Sequence, residues 1–167
     1  MAVPEELRPL TQELNSRLRE SPSIYALTTA GRSPYWFGSV LSSVILLAEG
    51  DDLVYVSGRF DREAATAAIV VVTSRLVISV RVGSIEGEMG TITVQGVPRD
   101  ALIALGVQAG ETPFSSEAFS GWPGELTITA EYAGLDDILE LPLERVYDGN
   151  DQVRALFEAL KKDLLHD

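Results

Sequence analysis

The stretch that decides the fold is Ile69 to Val82, IVVVTSRLVISVRV, two apolar runs joined by the polar residues Thr73, Ser74 and Arg75. It reads as a β-hairpin. Leu76, Ile78, Val80 and Val82 alternate with Val77, Ser79 and Arg81, the period of two expected of a strand with one buried and one largely wet face. Ile69 to Val72 is instead an unbroken β-branched run, which predicts a central strand covered on both faces.

Working outward, further short strands are expected at Leu53 to Ser57, Gly90 to Gln95, Ala101 to Val107, Leu126 to Tyr132 and Asp137 to Leu143, making seven with the hairpin. The Leu126 to Tyr132 segment has the cleanest alternation of apolar and polar residues. The chain then closes with a helix from Asp148 or Asn150, either able to cap it, to Leu165. Val153, Leu156, Phe157, Leu160 and Leu164 form its apolar stripe, with Phe157 expected to plug the core. At the other end, Leu7, Leu10, Leu14 and Leu18 recur at helical spacing within Pro4 to Glu20, and Ser21-Pro22 stops that helix. A short strand is expected at Ile24 to Leu27. Tyr35 to Ala48 has helical spacing as well, although Val44 to Leu47 also suits a strand.

Composition narrows the function classes. A length of 167 residues suits one domain with an added segment. With 46% hydrophobic and 23% charged residues, the chain has the make-up of a globular protein. A net charge of -12 and a pI near 4.4 put phosphates and anionic headgroups on the repelled side, so nucleic acid is not an expected partner and membrane binding is disfavoured. The absence of cysteine excludes disulfides and thiolate metal sites and fits a cytoplasmic location. The start, MAVPEELRPL, lacks the pattern of a secretory signal. Trp36 to Ala48 is about 13 residues, short of the ~20 needed to span a bilayer.

Seven short strands closed by one amphipathic helix imply a small β-sandwich or barrel. Within that frame LLAEGDDLVYVSGRF (46–60), IVVVTSRLVIS (69–79) and GVPRDALIAL (96–105) resemble the bacterial pleckstrin-homology-like domains. The shared pattern is a glycine-acid start, a strand ending in threonine before an arginine-leucine pair, and a proline-containing entry to a later strand. The resemblance implies a mainly β fold: a seven-stranded antiparallel sandwich over 46–167, capped by the C-terminal helix and preceded by a helical extension over 1–45. It further implies an interaction module rather than an enzyme, binding a protein or peptide partner. The alternative is a lipid or small-ligand binder using the open end of the barrel. Where phosphoinositides are bound in that family, the loop after the first strand is basic. Here Arg59 and Arg62 alternate with Asp61 and Glu63, a local charge near zero that speaks against such binding.

The residues supply few alternatives. His166, the only histidine, is penultimate, which leaves no Ser/His/Asp arrangement, and the carboxylate pairs read as turn and cap residues. No catalytic residue, cofactor or metal site is expected. Two aromatic groups stand out as partner-binding anchors: Tyr35, Trp36 and Phe37 after Pro34, and Phe114, Phe119 and Trp122 in the polar connection Ala109 to Gly124. The Leu7 to Leu18 stripe needs a cover, either this chain's own barrel or the same helix of a second copy in a homodimer.

Overall fold

The computed structural model describes residues 3–114 and 121–165. Strands β1 (Leu53–Asp61), β2 (Thr66–Thr73), β3 (Leu76–Glu86) and β4 (Met89–Pro98) form one antiparallel sheet in sequence order. Strands β5 (Leu102–Ala109), β6 (Leu126–Tyr132) and β7 (Leu139–Leu141) form a second. Three helices precede them, α1 (Arg8–Leu18), α2 (Pro22–Thr29) and α3 (Tyr35–Ala48), and α4 (Asn150–Leu165) follows. Four strands, three strands and a closing helix make the fold pleckstrin-homology-like, as the sequence implied.

The hairpin explains the layering. Ile69 and Val71 join a core with α1, α2 and α3, whereas Val70 and Val72 join a second core with β5, β6, β7 and α4. The first sheet is therefore covered on both faces, which is why Ile69 to Val72 contains no polar residue. The α1 stripe is satisfied within the chain: Leu14 and Leu18 are buried against the first sheet, with Leu7 and Leu10 half-buried beside them. Close approach is possible because Gly58 on β1 lies beneath; a Cβ there would stand 3.1 Å from Leu18 and 3.2 Å from Ile24.

The strand expected at Ile24 to Leu27 is helical instead. Pro22 sits in the first turn, where its fixed φ favours a helix, and Thr28 and Thr29 hydroxyls donate back to the Ile24 and Tyr25 carbonyls. The helical reading of Tyr35 to Ala48 holds, and a boundary after residue 45 falls inside it. Phe157 is only half-buried, with Lys161 Nζ 5.4 Å from its ring centre; the plug of the second core is Leu156 and Leu160.

The hairpin turn is held by a buried polar knot. Thr73 Oγ1 donates to Asp51 Oδ2 at 2.7 Å and accepts from Leu76 N at 2.8 Å and Arg75 N at 3.2 Å, while Arg75 Nε donates to Asp51 Oδ1. This is the physical content of the glycine-acid and threonine-arginine-leucine pattern. Burial raises the Asp51 pKa, but the Thr73 and Arg75 hydrogen bonds and the Arg75 charge more than offset it, holding the carboxyl below its ordinary range.

Candidate functional site

The expected partner-binding aromatics separate into two groups, one on α3 and one on the β5–β6 connection, and the first largely dissolves. Trp36 and Phe37 are core residues: 1% and 2% exposed, edge-to-face at 5.8 Å, with Trp36 also against Phe60. Their assignment as anchors is corrected, because the first turn of α3 aims both rings at the first sheet. Tyr35 faces outward on α3, while Phe114 and Trp122 are exposed on the β5–β6 connection. Phe119 lies outside the described residues.

Strand edges are where a folded sheet can accept a partner, and those of these two sheets differ sharply. β1 is overlaid by α1 and α2, with Arg17 Nη1 reaching the Val54 carbonyl at 3.4 Å. β7 has three residues and is followed by Pro142. β5 is different: LIALGVQA is eight residues without charge or proline and, among the described residues, pairs only with β6.

Register shows what β5 offers. Val107 lies opposite Ile128, and Leu105 opposite Ala130. Directly opposed residues share a face, and Ile128 and Ala130 are fully buried, so Leu105 and Val107 point to the core side. Yet Val107 is 49% exposed and Leu105 half-buried. Nothing among the described residues completes the cover over this end of the strand. α4 runs beside β5 in the opposite sense: Asp163, near its C-terminus, meets Arg99 just before β5, while Gln152 near its N-terminus shares a cavity with Glu125, whose carbonyl accepts from Gly110 just after β5. The result is an apolar shelf bounded by α4 on one side and a free row of backbone groups on the other. Sequence reading missed this site, although the absence of charge from LIALGVQA was a visible signal.

Two other concave regions carry charged side chains. At the uncovered end of the first sheet, a hollow of about 630 Å³ is lined by Arg59, Arg81, Thr66, Thr91 and Thr93. Both arginines are already answered: Arg81 pairs with Asp137 and, at 3.8 Å, Asp136, and Arg59 with Asp61 at 3.5 Å. A cavity of about 250 Å³ between α1, β1 and the start of α4 mixes Arg17 and Arg145 with Glu20, Glu125 and Asp148 over the Tyr55 ring, whose phenol pKa is raised by burial and partly lowered by a Ser57 hydrogen bond. Among the described residues no three His, Asp or Glu side chains converge as a metal site would require.

Other polar groups, Ser57 buried and Ser23 and Glu144 half-buried, hold the fold together. Ser23 N and Oγ donate to Glu144 Oε2 at 3.1 and 2.6 Å, and Phe60 N donates to Ser23 Oγ at 2.9 Å. Ser57 Oγ accepts from Leu143 N at 2.9 Å. These bonds tie the segment after β7 across β1 to α2. Among the described residues no helix is long and apolar enough to cross a membrane.

The fold defines the class, a pleckstrin-homology-like sandwich. No family model and no curated protein matches the chain. Among solved structures it is similar to a pleckstrin homology domain from Shewanella amazonensis, at 15% identity over 78% of this chain and 97% of that chain, with a TM-score of 0.42. It is likewise similar to a DUF1696 family protein with a pleckstrin-homology domain from Shewanella loihica, at 14% identity over 78% and 92%, TM-score 0.44. A third is the hSac2 domain from the human phosphoinositide phosphatase Sac2, at 13% identity over 77% and 80%, TM-score 0.41.

Proposed function

We propose that the protein is a non-catalytic interaction module that takes an extended, apolar peptide segment as an added strand on β5, alongside α4. The observation that carries the proposal is Val107, half exposed on the core side of an uncharged edge strand although its opposite residue, Ile128, is fully buried. An added strand would satisfy the free backbone groups of β5 and lay alternate side chains on Leu105 and Val107, so backbone bonds supply affinity and the shelf supplies selectivity. Phe114 and Trp122, exposed on the connection that leaves β5, extend the apolar contact at one end. The non-catalytic reading is supported by the structural employment of these polar residues: the buried Asp51 and Thr73 fix a turn, and the buried Ser57 and half-buried Ser23 fix the segment after β7.

The second reading, a lipid or small ligand at the open end of the first sheet, has the hollow beside Arg59 and Arg81 in its favour. The carboxylates already facing both arginines weigh against an anionic headgroup there. The two readings separate by panning a random displayed-peptide library and by flotation with anionic vesicles, both on the full chain. The expected result is peptides with apolar residues at alternate positions, binding weakened at least tenfold by Val107→Asp, and no flotation. Headgroup-dependent flotation with no peptide enriched would overturn the proposal.

A further inference from the structure

A second uncharged surface lies on the opposite side of the hairpin. In a chain with 38 charged residues among 167, the 14 residues of α3 and the 10 of β4 contain none. They are neighbours along their whole length. Trp36 N at the start of α3 donates to the Glu88 carbonyl just before β4, and Leu47 near the end of α3 covers Gly96, within 3.5 Å of where a Cβ would stand. The helix therefore runs lengthwise beside the strand. Tyr35 and Met89 are exposed at one end of this face, Leu46 and Leu47 at the other.

Among the described residues β4 pairs only with β3, and its other edge meets no strand. The pairing is regular over eight consecutive partners, from Leu76 opposite Pro98 to Gly83 opposite Thr91. That distinguishes it from β5, where register breaks between Leu102 and Ala104. Up to Pro98 at its end, it carries no lysine, proline, inward charge or bulge over that run, the devices by which an edge is blocked.

We infer that the α3 and β4 face is where a second copy of this chain docks, its β4 antiparallel to the first. Charge argues for that occupant. Two copies each carrying -12 repel wherever carboxylates meet, and on this face identical surfaces meet without opposing any charge. A basic partner, by contrast, would be drawn to the acidic remainder. Geometry agrees, because an antiparallel edge is complementary to itself about a two-fold axis. The operation joins two four-stranded sheets into one of eight strands and brings the two α3 helices side by side on the same face. The β5 shelf is untouched, so the dimer would present two of them.

The test is light scattering on the full chain over a range of concentrations. The expected mass is twice the 18.1 kDa of the chain. Thr93→Lys, at the middle of the edge, should raise the dissociation constant at least tenfold while leaving the far-ultraviolet spectrum unchanged. Should that variant lose the native spectrum, Ser42→Glu on the exposed side of α3 is read in its place, and Val107→Asp serves as the control that leaves the dimer intact. A monomer at every concentration, or a dimer indifferent to both the Thr93 and Ser42 changes, would overturn the inference.

Discussion

Arg99 holds Asp163 with two parallel hydrogen bonds, Nε to Oδ2 at 2.8 Å and Nη2 to Oδ1 at 2.9 Å, while its Nη1 reaches the Thr73 carbonyl at 3.2 Å. One side chain thus joins the entry to β5, the tip of the β2–β3 hairpin and the last turn of α4. Both side chains are only 16% exposed, so the pair is poorly screened and its planar fork cannot be reproduced by an ammonium. Arg99→Ala is expected to cost about 2 to 3 kcal/mol in urea denaturation, since Asp163 is left without its partner, and Arg99→Lys should restore less than half. A loss below about 0.5 kcal/mol would show that the three elements are held by packing alone.

Stability should fall at acid pH because of Asp51. Its folded pKa is depressed, so the carboxylate contributes in full above its unfolded pKa near 4 and loses that contribution as pH falls further, through the folded value. Asp51→Asn should flatten the stability curve below about pH 4 while lowering the plateau above it. Melting curves recorded across that range check this; an unchanged acid limb in the variant would assign the loss to other carboxylates.

At alkaline pH the leading group is Tyr132, whose hydroxyl is buried with no hydrogen-bond partner among the described residues. Burial, reinforced by the nearby Asp163 carboxylate and opposed by Arg99, pushes the phenol far above its ordinary value. With the folded pKa raised, the stabilisation is complete below about pH 10 and declines as pH rises beyond it, because the unfolded chain releases the proton first. Tyr132→Phe should lessen that decline, leaving the share of Tyr55, whose phenol is also raised by burial, and, by deleting an unsatisfied hydroxyl, leave the protein as stable or about 1 kcal/mol more stable at neutral pH. A loss of 2 kcal/mol or more would mean that the hydroxyl has a partner.

Much of this fold was legible because the deciding signals are local. A period of two marks β3, β4 and β6 whatever lies around them, and the unbroken IVVV run of β2 requires cover on both faces. The final helix was equally clear, but its apolar stripe is several residues wide, and only the packed structure shows Leu156 and Leu160 at the centre with Phe157 at the margin. The α2 segment was misread because Ile24 and Leu27 alone cannot separate a short strand from a helix; the Pro22 start decides. Trp36 and Phe37 read as anchors in the sequence because an aromatic cluster after a proline looks the same from either side of a helix. The β5 site was hidden for a different reason. Which strand lies at an edge, and whether its inner face is covered, depends on strand order and on where α4 docks, and neither is a local property.

The account turns on strand addition at β5, and hydrogen exchange of individual amides, resolved by NMR on the full chain, tests it most directly. The probe is a peptide enriched in panning, added to saturation. The account predicts that amides of Ile103 to Gln108 on the free side of β5 become protected while those lining the Arg59 and Arg81 hollow exchange as before. Unchanged exchange along β5 with protection around that hollow would contradict it.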